Sequence, residues 1–303
     1  MFSVSFGAAS RRGKRLVTQN GGATLVALLR PPSVAELANE NRTGYYLLRT
    51  NMPYVDREAS VLDRVEKSIA KERVLLALHP VLSLQGETVF SEGLARPLDD
   101  EGRLIPAAWF ADKVEETDLG RELDRVVLVK ALEQLRKDPK LRLSINVSAR
   151  SMMDAAWRQV LVEHLSRYGS LHERLILEIS EKSAVQLHEL VMRFMADFQP
   201  QGLAFCLDQF GAGYTSFHHL KKFLFDFAKI DKSFIRNLDR DPDNQVVVAA
   251  LRSIANQFDM ELIADGIETA AEAGMAEQLG LQLVQGYYYG EPAVYAQPEV
   301  QEP

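Results

Sequence analysis

The sequence predicts an α/β fold: a (β/α)8 TIM-like barrel with an antiparallel first strand, behind a small N-terminal α/β segment. Three observations carry this. Eight short β-rich runs recur between residues 75 and 289, amphipathic stretches of helix length lie between most of them, and the first two runs stand too close together for a parallel crossover. Strands that alternate with helices form a mainly parallel sheet covered by those helices, and eight of them suit ring closure. An open doubly wound sheet is the alternative reading of the same alternation.

In chain order the runs are LLALHPVLSL (75–84), TVFSEGLAR (88–96), LRLSINVSA (141–149), RLILEISE (174–181), LAFCLDQF (203–210), FDFAKIDK (225–232), ELIADGIE (261–268) and LQLVQGYYY (281–289). Only Gln85, Gly86 and Glu87 join the first two, so these pair as an antiparallel hairpin. Helical patterns fill 122–137, 155–168 and 244–258, the last keeping its apolar residues on one face. Upstream, SVSFGAA reads as a strand. TLVALLRPPSVAELANENRTGYYLL reads as a helix interrupted near Pro31 and Pro32 that runs into a strand. Residues 55–74 have helical periodicity and mixed charge. The expected division is an N-terminal α/β segment at 1–54, a linker helix at 55–74 and the barrel at 75–303.

Composition bounds the function. Hydrophobic residues make up 47% and charged residues 25% of the 303, ordinary for a globular protein able to bury a large core. The net charge of −7 argues against DNA or RNA polymers as partners. Cys206 is the sole cysteine, so no internal disulfide is expected and a reducing, cytoplasmic location is the simplest reading. The first residues lack the apolar core of a signal peptide, and no run approaches the roughly 20 apolar residues of a membrane span, so no membrane insertion is expected.

The chemistry should lie at the C-terminal ends of the strands. Nearly every run ends there on a polar residue: Glu92, Asn146, Glu178, Asp208, Lys229 with Asp231, Asp265 with Glu268, and Gln285. Singly, each reads as well as a helix cap. As a set, Glu92, Asn146, Glu178 and Asp208 offer three carboxylates and an amide oxygen, donors suited to Mg2+, Mn2+ or Ca2+ rather than zinc. Three carboxylates gathered without a cation would repel one another or take up protons, and Lys229 offsets only one charge.

The ordered series SEGLAR, SINVSAR, ILEISEKSA, CLDQFGAGYTSFHHL, FAKIDKSF, IADGIETAAEA and LVQGYYYGEP resembles the motif series of EAL cyclic di-GMP phosphodiesterases. The resemblance covers about the last 230 residues. It implies a first metal held by Glu92, Asn146, Glu178 and Asp208. It implies Lys229 as the catalytic lysine and Asp265 in the place of the general base. Among ligand-contacting positions it implies Leu94 and Arg96, with Asp124 and Glu268 facing guanine. For these two acids a helix-surface charge or cap is an equal alternative. Gln285 matches a glutamine near the second metal, and Glu181 a glutamate that steadies the loop after the fifth strand. His79, where the family usually has glutamine, reads as a packed or hydrogen-bonded residue rather than a ligand. The resemblance also implies cyclic di-GMP as ligand, Mg2+ or Mn2+ as cofactor, Ca2+ as an inhibitory ion, a homodimer, and coupling from the Gly211–Gly213 loop to the dimer contact. A signalling protein is the expected further partner.

Besides His79, the match departs from the family at three places. Gly93 stands for the alanine of the EAL triplet, a small change. Gln209 replaces the second aspartate of a pair and so removes a second-metal carboxylate. Asp265 is a methylene shorter than the usual glutamate, and misplacement of about 1 Å can cost on the order of a hundredfold in rate. A degenerate domain that binds the nucleotide with weak or lost hydrolysis is the leading expectation. An active phosphodiesterase making linear pGpG and an interaction module without nucleotide are the alternatives. The N-terminal segment faintly resembles the end of a GGDEF domain without its signature loop; an unrelated α/β appendage is the alternative.

Overall fold

Eight strands follow one another around a closed ring in this computed structural model, which describes residues 57–115, 117–214 and 220–294. They are β1 (Val74–Ser83), β2 (Thr88–Pro97), β3 (Leu143–Asn146), β4 (Leu175–Ser180), β5 (Ala204–Phe210), β6 (Phe227–Ile230), β7 (Glu261–Asp265) and β8 (Leu283–Gln285). Each of β2 to β7 pairs in parallel with the strand that follows it. β1 runs antiparallel to both β2 and β8 and closes the barrel between them. A short β9 (Ala293–Val294) adds to β1 on its outer run, opposite Ala77 and Leu78. The predicted strand and helix within 1–54, with the proposed GGDEF remnant, lie outside the described residues, as do positions 215–219.

The antiparallel hairpin predicted from its three-residue connection is present, with Gly86 donating to the Ser83 carbonyl at 2.9 Å. Two predicted strands, β3 and β8, keep less than half the length of their runs. β3 stops at Asn146 because the chain then folds into a tight turn, where Ser148 Oγ accepts from the Ser151 amide at 3.1 Å. β8 stops at Gln285 because Gly286, at φ 153°, passes so close to β7's exit that a Cβ there would lie 2.1 Å from the Ile267 carbonyl oxygen. Tyr288 then donates to that same carbonyl instead of continuing a ladder.

The helices are α1 (Arg57–Ala70), α2 (Ala107–Val114), α3 (Asp118–Lys137), α4 (Ala155–Arg167), α5 (Glu181–Gln186), α6 (His188–Phe198), α7 (Lys232–Ile235), α8 (Pro242–Gln257) and α9 (Ala270–Gln278). Their caps are chemical. Thr117 accepts from the Gly120 amide at the start of α3, and Thr269 with Glu272 forms a capping box on α9. α3 buries Leu123, Val127, Leu128, Ala131, Leu132 and Leu135 against the ring, a stripe at helical spacing. Val61 and Val65 of α1 join Val74, Ile105, Phe110, Val114 and Leu123 in a satellite core.

Candidate active site

Inside the ring the period-two alternation of each strand stacks two floors. Val81, Phe90, Ile176, Cys206, Phe227, Ile263 and Leu283 form the lower, apolar floor, one residue from nearly every strand. Two residues further toward the mouth on the same strands stand His79, Glu92, Glu178, Asp208, Lys229, Asp265 and Gln285; β1 runs the opposite way, so its step is backwards. Asn146 completes this second floor, level with Glu178 in the register between β3 and β4. Most of the residues predicted from run ends, Asp231 and Glu268 excepted, are thus one layer of a barrel interior.

A single network joins the β2, β3, β4, β6 and β8 members. Glu92 Oε1 accepts from Asn146 Nδ2 at 2.8 Å, while its Oε2 accepts from Lys229 Nζ at 2.7 Å and Gln285 Nε2 at 3.0 Å. Lys229 Nζ also lies 2.7 Å from Glu178 Oε2. Lys229 is 1% exposed. Burial alone would lower its pKa, but Glu178 and Glu92 reverse the sign and keep it charged. Burial works against the Glu92 carboxylate too, yet Lys229 and Asn146 hold it at about 2. Glu178 differs: burial pushes it to about 8 against the pull of Lys229, with Glu92 and Asp208 adding repulsion. Burial likewise pushes Asp208 to about 6.

At β5 the ladder is irregular between Leu207 and Phe210, a bulge that holds Gln209 in the left-handed region at φ 59°. Asp208 Oδ1 accepts from the Gln209 amide at 2.9 Å. The bulge places two consecutive residues, Asp208 and Gln209, on the wall of one cleft, where an unbroken strand would alternate them. This cleft, of about 310 Å3, is also lined by Leu94, Arg96, Asp124, Asn146, Glu178 and Ser180.

Other predicted residues have mixed settings. Asp124 Oδ2 accepts from the Ser148 amide at 3.0 Å and Ser151 Oγ at 2.7 Å, tying α3 to the turn after β3, and burial pushes its pKa to about 6. Glu181 is buried at the start of α5. Glu268 is exposed beyond the end of β7; its amide donates to Glu272 Oε2, and it is not among the residues lining the cleft. Asp231 caps α7 through the Ser233 amide at 2.9 Å, so it belongs to the helix rather than the floor. His79 is buried with Nε2 3.1 Å from the Gly290 carbonyl oxygen, the hydrogen-bonded role expected of it, and burial lowers its pKa. Sequence reasoning missed Lys232, whose Nζ lies 3.3 Å from Asp265 Oδ2. Its position three residues after Lys229 is the only signal, and a first-turn helix position explains that equally well.

The donor set fits a hard divalent cation. Glu178 Oε1 is buried without a hydrogen-bond partner among the described residues, as is Gln285 Oε1. An orphaned buried acceptor costs roughly 1–3 kcal/mol, and a cation beside Glu178 and Asp208 would relieve both that cost and their raised pKa values. Among the described residues no three Asp, Glu, His or Cys side chains already stand as a metal shell. Lys229 Nζ bridges Glu92 and Glu178 instead.

Comparison with known proteins gives this geometry a context. The EAL domain family matches residues 62–292. The chain is 29% identical over 236 residues to the cyclic di-GMP phosphodiesterase PdeR of Escherichia coli (strain K12), covering 75% of this chain and 35% of that protein. It is 25% identical over 261 residues to the bifunctional diguanylate cyclase/cyclic di-GMP phosphodiesterase MucR of Pseudomonas aeruginosa, covering 84% and 38%. The chain thus spans about a third of the length of these curated relatives. Among solved structures, the PaMucR phosphodiesterase in complex with c-di-GMP superposes with a TM-score of 0.71 at 25% identity, over 78% of this chain and 98% of that one. The FimX EAL domain of Pseudomonas aeruginosa bound to c-di-GMP gives 0.69 at 25% identity, over 77% and 96%.

Proposed function

The chain belongs to the EAL domain family, and on that premise we propose that it is a cyclic di-GMP-binding signalling domain whose hydrolysis is weak or lost. Its homology to cyclic di-GMP phosphodiesterases, and its likeness to EAL domains solved with c-di-GMP, support the ligand. The observation that carries the reading is the β5 bulge, which turns Gln209 into the cleft beside Asp208. A neutral amide stands where a second carboxylate would be needed, while the other half of the mouth keeps its full polar set.

EAL phosphodiesterases generally depend on divalent metals. In this reading Glu92, Asn146, Glu178 and Asp208 hold one Mg2+ or Mn2+, which when bound would polarise a phosphoryl oxygen of the ligand. Lys229 bridges the Glu92 and Glu178 carboxylates and holds them near one another before ligand arrives. Arg96 and Leu94 line the cleft and would meet the nucleotide, and Asp124 offers an acceptor at its wall for the adjacent donors of a guanine edge. Asp265 is the candidate to take a proton from attacking water, but its carboxylate faces Lys232. Glu268, Glu181 and Gln285 are assigned ligand-side or loop-supporting roles on family grounds. A homodimer and a protein partner belong to the same proposal. Among the described residues no helix is long and apolar enough to cross a membrane.

Calorimetric titration with cyclic di-GMP and pGpG formation with Mg2+ or Mn2+, on one sample, test the reading. Binding with little product is expected. Restoring the carboxylate with Gln209→Asp should raise turnover by on the order of tenfold or more, because two cations act on opposite sides of the displaced bond. Rapid turnover by the unaltered chain would identify an active phosphodiesterase, and absence of binding an interaction module.

A further inference from the structure

The polar floor is unevenly supplied with positive charge. Glu92, Glu178, Asp208 and Asp265 face two ammonium groups, those of Lys229 and Lys232. Lys229 is enclosed by its two carboxylates and has no exposed surface from which to meet a ligand. Lys232 is its opposite. Its side chain is 72% exposed, and Asp265 Oδ2, at 3.3 Å, is its one ion-pair partner among the described residues. The ammonium has three donors, so hydrogens remain for an incoming anion.

The position of Lys232 is built rather than incidental. It is the first residue of α7, anchored by the Asp231 cap, and its stem lies across Gly266 at the exit of β7. A Cβ on Gly266 would sit 2.9 Å from Lys232 Cγ, so the missing side chain leaves the channel through which the lysine reaches Asp265. Beyond Asp265, the charges of Glu92 and Asp208 also act on it.

We propose that Lys232 is a ligand-binding residue that supplies, from the protein itself, positive charge to a phosphodiester of the cyclic dinucleotide on the side of the mouth where Gln209 offers no metal carboxylate. This rests on the function proposed above and names how that site holds an anionic ligand with a single divalent ion. Asp265 then serves chiefly to orient the lysine.

The test is a double-substitution cycle on the full chain, using cyclic di-GMP in saturating Ca2+ with metal stoichiometry by equilibrium dialysis. With one ion per chain, Lys232→Gln should weaken nucleotide affinity by about tenfold or more, the cost of one charge-assisted contact. Lys232→Arg should stay within about threefold of the unaltered chain, since it keeps the charge. In the Gln209→Asp background a second ion takes over the charge, and the penalty of Lys232→Gln should shrink. Affinity unchanged by Lys232→Gln, or an equal penalty in both backgrounds, overturns the proposal. Fast hydrolysis by the unaltered chain together with a Lys232→Gln penalty would remove the weak-hydrolysis reading and leave this one standing. No nucleotide binding at any metal concentration would remove both.

Discussion

The two sides of the barrel mouth are built differently. On the β2–β4 side, Glu92, Asn146 and Glu178 are joined with Lys229 and Gln285 by contacts of 2.7–3.0 Å. On the β5–β7 side, a bulge carries Asp208 and Gln209, and an exposed lysine reaches Asp265 at 3.3 Å. The first side is a preorganised frame whose members depend on one another. The second is looser and made of residues that can be exchanged singly. Exposed positions such as Gln209 and Lys232 should therefore tolerate change at less cost to the fold than the frame at β2–β4.

The largest effect should come from breaking the locked side. Lys229→Met leaves Glu92 and Glu178 buried against each other without their shared cation. The metal-free protein should lose about 3 kcal/mol, the scale for orphaning a buried charge, read from urea unfolding at neutral pH. The same change at Lys232, whose side chain is 72% exposed, should cost within about 0.5 kcal/mol, which is the comparison in its sharpest form.

A second effect separates the sides by pH. Folding raises Glu178 from 4.5 to about 8 and Asp208 from 3.8 to about 6. Between those limits the folded chain binds more protons than the unfolded one, so the contribution of these two groups to stability is fully present below about pH 4 and falls as pH rises through 6 and 8. Glu92 has the opposite sign: lowered to about 2, it stabilises above pH 4.5 and loses that contribution as pH falls toward 2. A cation that needs Glu178 and Asp208 ionised removes the penalty at high pH. Thermal melts with and without Mn2+ should therefore show a larger shift at pH 8 than at pH 6. An equal shift at both would place the ion away from Glu178.

A small effect is also expected at Gly93, next to Glu92 but facing outward. A Cβ there would lie 3.3 Å from Ile145 Cγ2, Leu76 Cδ1 and the Ser144 oxygen. Neighbours must yield by a few tenths of an ångström, so Gly93→Ala should change stability by less than about 1 kcal/mol and leave metal stoichiometry unchanged. A larger loss, measured by the same urea unfolding, would show that the locked side tolerates no adjustment even on its outer face.

Much of this was legible from the chain. The eight β-rich runs and the three-residue hairpin connection pointed to an α/β fold with an antiparallel first strand, because alternation and connection length are local properties; that the sheet closes into a ring was decided by β1 pairing with both β2 and β8. The acids and amide at the run ends were legible for the same reason: a polar residue two positions past an apolar interior one must face the same lumen. What the tertiary structure alone decided depends on distances between strands. Nothing in CLDQF announces a bulge, and so nothing announces that Asp208 and Gln209 share one cleft wall. In FAKIDKSF the alternation marks Lys229 for the lumen, but nothing announces that Lys232 turns back to Asp265. The early end of β8 likewise follows from the close approach of Gly286 to Ile267, which become neighbours only in the folded ring, whereas that of β3 follows from the local Ser148–Ser151 turn.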